Sequence, residues 1–112
     1  MILDRDALKW FKPARDQFQI FYRDEAVEAA YQPDFVAETS EAIYLLESKA
    51  RGQMNDHAVL AKKDAAVKWC ELATNHNGQN GGKPWRYALI PHDAIADNMT
   101  LAGLVGQFEV KP

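Results

Sequence analysis

Asp34, Glu47 and Lys49 are the residues whose types and spacing could do chemistry together. Two carboxylates and an amine brought to one point make a seat for a divalent cation beside a phosphate. Mg²⁺ takes oxygen ligands, typically one or two carboxylates completed by waters and substrate phosphate. A cation held there makes a water more acidic and polarises a phosphoryl oxygen. An amine at the same point stabilises the negative charge that develops as a phosphodiester is attacked.

Two strand-like runs must position these groups, residues 27–38 and residues 42–50. The short connector Thr39-Ser40-Glu41 suits a hairpin. If the turn centres between Ser40 and Glu41, Thr39 faces Ala42 and Asp34 faces Glu47. Directly opposed residues project from one face, with Cβ atoms about 5 Å apart. The strand period of two adds Lys49 to that face, with Ile43 and Leu45 nearer the turn. A slip of one residue would send the carboxylates to opposite faces. No Asn-Gly pair pins the turn. Opposed like charges repel, and an apolar face adds a desolvation cost. A bound cation would relieve both. Taken singly, Asp34 could cap a turn after Pro33, and Glu47 and Lys49 could lie on a solvated face.

The rest of the chain reads as follows. Residues 4–12 suit a short helix carrying Leu8, Trp10 and Phe11, ended by Pro13. Residues 18–23 suit a strand. Pro33 gives the second strand an edge or bulged position. Residues 54–75 suit a helix, capped by Asn55 or Asp56 and stopped by Asn75-His76-Asn77-Gly78. Its apolar stripe is Ala58, Ala65, Ala66, Trp69 and Ala73. Lys62 stands in the middle of that stripe. It could reach a phosphate, or snorkel with its amine in water. Residues 77–84 suit a flexible connector. Its Gly81-Gly82-Lys83-Pro84 lacks the phosphate-binding GxxxxGK[ST] pattern. Residues 85–90 suit a strand, and Leu101, Leu104, Val105 and Phe108 mark a helical tail. The order α-β-β-β-α-β-α implies an α/β or α+β layer, helices packed on a small mixed sheet.

Composition narrows the class. The chain has 112 residues, 47% hydrophobic and 26% charged, which suits one globular domain. A net charge of -3 counts against a tight stand-alone nucleic-acid binder, but not against an enzyme that meets DNA at a local patch. No apolar stretch nears the ~20 residues needed to span a bilayer. The start, Met1-Ile2-Leu3-Asp4-Arg5-Asp6, lacks a signal-peptide pattern, so a cytoplasmic protein without membrane contact is expected. Cys70 alone cannot form an intrachain disulfide or a zinc site. His57, His76 and His92 lack metal-ligand spacing. Trp10, Trp69 and Trp85 read first as core residues.

Pro33-Asp34, followed by Glu47-Ser48-Lys49, resembles the PD-(D/E)XK nuclease signature. The surrounding runs Tyr31-Gln32-Pro33-Asp34-Phe35-Val36-Ala37-Glu38-Thr39 and Ile43-Tyr44-Leu45-Leu46-Glu47-Ser48-Lys49 are similar to the C-terminal endonuclease domain of type III restriction enzyme Res subunits. So are Ala61-Lys62-Lys63-Asp64-Ala65-Ala66-Val67-Lys68-Trp69-Cys70 and Gly82-Lys83-Pro84-Trp85-Arg86-Tyr87-Ala88-Leu89-Ile90-Pro91-His92-Asp93. The likeness runs over residues 8–106. It implies a restriction-endonuclease-like α-β-β-β-α-β core around a four-stranded sheet. It implies metal-dependent hydrolysis of DNA phosphodiesters, with Mg²⁺ as cofactor and Mn²⁺ as a substitute. Asp34 and Glu47 would be metal ligands, joined by the backbone carbonyl of Ser48, and Lys49 would be the catalytic lysine. Ser48 departs from the apolar, Thr or Val residue usual at that position. Implied partners are DNA, an ATP-dependent helicase or translocase domain or subunit, and a modification subunit. The chain has no Walker A signature. Residues 1–112 are accordingly expected to be a single nuclease-like domain, cut from a larger helicase-nuclease or working beside a separate motor. The alternative is a non-catalytic module of the same fold that binds DNA or a helicase partner.

Overall fold

The computed structural model describes residues 2–14, 17–24, 27–79, 82–96 and 98–111. The connector expected at residues 77–84 lies partly outside this set, at residues 80–81. The chain forms α1 (Ile2–Asp6), β1 (Lys9–Phe11), β2 (Ile20–Asp24), β3 (Val27–Tyr31), β4 (Phe35–Glu38), β5 (Ile43–Lys49), α2 (His57–Gln79), β6 (Trp85–Pro91), α3 (Leu101–Phe108) and β7 (Glu109–Val110). Single 3-10 turns follow β5 (Arg51–Gln53) and β6 (His92–Ala94).

Among the described residues, β1-β4-β5-β6-β7 form a five-stranded sheet, and β2 and β3 form a separate two-stranded ribbon. The expected sheet of four strands is therefore corrected to five plus a ribbon. The sheet is mixed: β5 pairs antiparallel with β4 and parallel with β6. Parallel neighbours need a long crossover, and α2 provides it.

Three local expectations also give way. Residues 9–11 form a strand rather than continuing a helix, because β4 offers a free edge. Trp10 pairs with Ala37, and the Leu8 N–H donates to the Glu38 carbonyl at 2.8 Å. The long second strand splits in two at Gln32-Pro33-Asp34. Proline cannot donate to a ladder, so β3 stays in the ribbon while β4 joins the main sheet. Helix α2 runs past Asn75 to Gln79. A tertiary contact holds its last turns: the Thr74 hydroxyl donates to the Trp85 carbonyl at 3.1 Å and accepts from the Trp85 N–H at 2.9 Å.

Both faces of the sheet are covered. Ala37, Tyr44, Leu46, Ala88 and Ile90 pack toward α1 and α3. Val36, Leu45, Tyr87 and Leu89 pack toward α2 and the ribbon. Helix α2 buries Val59, Ala66 and Cys70, while Ala58 is exposed, so its stripe is rotated from the expected one. Phe18, Trp69 and Trp85 cluster, with Trp69 5.0 Å from each of the other two rings. No helix is long and apolar enough to cross a membrane among the described residues.

The face carrying α1 and α3 is tied by charge. Asp6 accepts from the Arg5 guanidinium at 2.7 Å and from the Leu101 N–H at 2.9 Å, at the start of α3. The Arg5 hydrogen bond, then that N–H, hold its carboxyl down at about 2 against a usual 3.8. A depressed carboxyl contributes stability that is complete above its unfolded value and lost as pH falls through its folded one. Asp6→Asn should therefore narrow its stability deficit against the unmodified chain between pH 4 and 2. Urea unfolding midpoints across that range measure it; a deficit that stays constant would count against the assignment.

Candidate active site

Strands β4 and β5 pair in the register that the hairpin argument requires. Phe35 faces Leu46, Val36 faces Leu45, and Thr39 donates its N–H to the Ala42 carbonyl at 2.9 Å. Asp34 stands one residue before β4, at the position that continues this register toward Glu47. Its carboxylate is anchored on β5: Oδ2 accepts from the Ser48 N–H at 2.9 Å, with the Ser48 hydroxyl at 3.4 Å. Pro33, buried behind it, turns the chain between sheet and ribbon.

Glu47 is the buried charged residue among the described positions, only 6% exposed. Its site is the α2 face of β5, in an otherwise apolar row with Leu45. That face is covered because β5 is central, and a central strand reads as a continuous apolar run. A carboxylate there needs partners. Tyr87 of β6 supplies one, its hydroxyl donating to Oε2 at 2.7 Å. Tyr87 is itself 1% exposed. Burial, then the charge of Glu47, push its hydroxyl far above the usual tyrosine range, so it acts only as a donor.

The electrostatics of Glu47 record which groups converge. Burial raises its carboxyl, and the Tyr87 hydrogen bond lowers it. Asp34 raises it further, while Lys49 and Lys62 lower it. The net direction is up. Lys49 ends β5, opposite Pro91 of β6. Just beyond it, Arg51 pairs with Asp93 at 2.8 Å, tying together the turns that follow β5 and β6. Lys62 comes from α2, its amine 5.9 Å from the centre of the Tyr31 ring. The Tyr31 hydroxyl donates to the Lys62 carbonyl at 3.2 Å, fixing that turn of the helix. Lys62 is partly buried, with its charge felt at Glu47.

The structure thus gathers Asp34, Glu47, Lys49 and Lys62 around one end of the sheet. Ser48 contributes an N–H that orients Asp34. Among the described residues no three His, Cys, Asp or Glu side chains come together to hold a metal ion. Any ion here would rest on two carboxylates with backbone oxygen and water. Carboxylate oxygens are the donors a hard cation takes, and in each carboxylate a hydrogen bond falls on one oxygen, Oδ2 of Asp34 and Oε2 of Glu47.

Sequence reasoning missed Tyr87 and Tyr31. A signal existed for Tyr87: a tyrosine inside a buried strand must find a partner for its hydroxyl. For Tyr31 it did not, because its pairing with α2 is purely tertiary.

The chain matches no family model, no curated protein and no solved structure. The resemblance to the PD-(D/E)XK signature therefore rests on the sequence motif residues alone.

Proposed function

We propose that the chain is a metal-dependent nuclease domain that hydrolyses DNA phosphodiesters. The observation that carries this reading is the buried carboxylate of Glu47 beside Asp34 and Lys49, in a row of core residues. A charge kept in such a place is expensive to the fold, and perturbed carboxylates gather where chemistry is done.

The residues divide the work. Asp34, oriented by the Ser48 N–H, and Glu47, oriented by Tyr87, would hold Mg²⁺ or Mn²⁺, with the Ser48 carbonyl as a third donor. When bound, the ion would supply Lewis-acid polarisation of a phosphoryl oxygen and a more acidic water. Lys49 would face the phosphate and stabilise charge as it develops. Lys62, held over Tyr31, would contact a neighbouring phosphate. Hydrolysis joins a water oxygen to phosphorus and releases one ester oxygen as a hydroxyl. A restriction or DNA-processing role beside an ATP-driven helicase or translocase and a modification subunit, in the cytoplasm, is the setting the motif resemblance suggests.

Plasmid nicking with Mg²⁺ or Mn²⁺ tests the proposal. Asp34→Ala should lose cleavage; activity equal to that of the unmodified chain would reject the assignment. A second reading is favoured by the Tyr87 hydrogen bond, which satisfies Glu47 without an ion. It makes the domain a non-catalytic module that docks on DNA or a helicase partner. Calorimetry separates the two, because that module would bind no divalent ion through Asp34 or Glu47.

A further inference from the structure

We infer that Tyr87 is a positioning residue that biases which cation the site takes, by engaging one of the two carboxylate oxygens of Glu47. The inference rests on the proposed metal site and deepens it. Tyr87 lies on β6 opposite Leu45 and two residues before Leu89, the partner of Glu47. From there its hydroxyl reaches Oε2 at 2.7 Å. Both side chains are almost wholly buried, at 1% and 6% exposed, so water does not compete for this bond. Neither partner can swing away without opening the packing between α2 and the sheet. Oε1 is then the Glu47 oxygen turned most readily to an ion, since using Oε2 as well means sharing it with the Tyr87 hydroxyl.

That restriction has different consequences for different cations. Mg²⁺ and Mn²⁺ suit a compact six-coordinate shell of single-oxygen ligands. Ca²⁺ takes six to eight oxygens at longer distance and readily accepts both oxygens of one carboxylate. A glutamate pinned through Oε2 therefore penalises the larger ion. Asp34 is restrained in the same sense, since its Oδ2 is engaged by the Ser48 N–H. That donor belongs to the backbone, whereas the Tyr87 hydroxyl can be removed by substitution.

Calorimetric titration with Mn²⁺ and with Ca²⁺ tests this on the full chain, comparing the unmodified protein, Tyr87→Phe and Asp34→Ala. Tyr87→Phe should move the ratio of the two affinities toward Ca²⁺ by about tenfold, at the lower end of what partners behind a ligand usually govern. An equal loss of both affinities, or an unchanged ratio, would overturn the role of Tyr87 while leaving the metal site standing. Failure of the unmodified chain to bind either ion through Asp34 would instead remove the metal site and this inference together. The unmodified protein gives a second readout, independent of how Tyr87→Phe folds. The Tyr87 hydroxyl proton, buried and bonded, should give a low-field proton resonance that survives Mg²⁺ and is lost or strongly shifted with Ca²⁺. Identical behaviour with both ions would count against the inference.

Discussion

Under the proposed nuclease function, Lys49→Ala should keep the Mn²⁺ affinity of the unmodified chain yet cleave DNA at least about a hundredfold more slowly, the scale on which one preorganised charge-stabilising group acts. The expectation follows from where Lys49 stands. It closes β5 after Glu47 and Ser48, and parallel pairing with β6 fixes the strand up to that residue. The Arg51–Asp93 pair braces the chain just beyond. The root of the side chain is thus fixed by the backbone, and its charge is felt at Glu47. In the proposed mechanism the amine is not a ligand, so its removal should spare the ion, and its value would lie in the charge that appears as phosphorus is attacked. Single-turnover cleavage of a labelled duplex, read beside Mn²⁺ calorimetry, checks both halves. Asp34→Ala should lose both properties. Unchanged cleavage by Lys49→Ala would remove it from the chemistry.

Replacing Glu47 should act in two opposed directions. Glu47→Gln keeps the volume and leaves an amide oxygen to accept from Tyr87. It removes the charge that burial opposes. The metal-free variant should melt at a higher temperature than the unmodified chain near pH 7, while ion binding and cleavage are lost. The sign comes from linkage. Burial raises the folded Glu47 carboxyl above its usual 4.5. The folded state then holds that proton to a higher pH than the unfolded state. Stability from this group is therefore full at low pH and falls as pH rises from the unfolded value through the folded one. The advantage of Glu47→Gln should widen as pH climbs through that window and level off above it. Thermal melts at several pH values, without divalent ions, measure it. A lower melting temperature for Glu47→Gln at pH 7 would mean that Lys49, Lys62 and Tyr87 already stabilise the ionised form. The idea that this carboxylate is kept at a cost to the fold would then fail. Residues retained against stability are characteristic of working sites.

Strand periodicity put Asp34 opposite Glu47 and Lys49 beside them for a turn centred between Ser40 and Glu41, and the fold decided that this is where the turn centres. Side chains alternate with a period of two, but no turn signal fixed the register; the Thr39–Ala42 hydrogen bonds of the folded turn do. The crossover helix and the parallel strand after it were legible for a similar reason: each carries enough apolar residues to declare its own period. What depended on distant partners was not legible. Residues 9–11 became a strand only because β4 had an edge to pair with. The run from 27 to 38 divided at Pro33 because its two halves found different sheets. The face that α2 buries keeps Ala65, Ala66 and Trp69 of the expected stripe but takes Val59 and Cys70 and leaves Ala58 exposed, following the surface it met. Burial of Glu47, its bond to Tyr87 and the approach of Lys62 over Tyr31 join four separate elements. Local sequence carries no information on such contacts, since their free energy comes from excluding water between surfaces that meet only when the chain is folded.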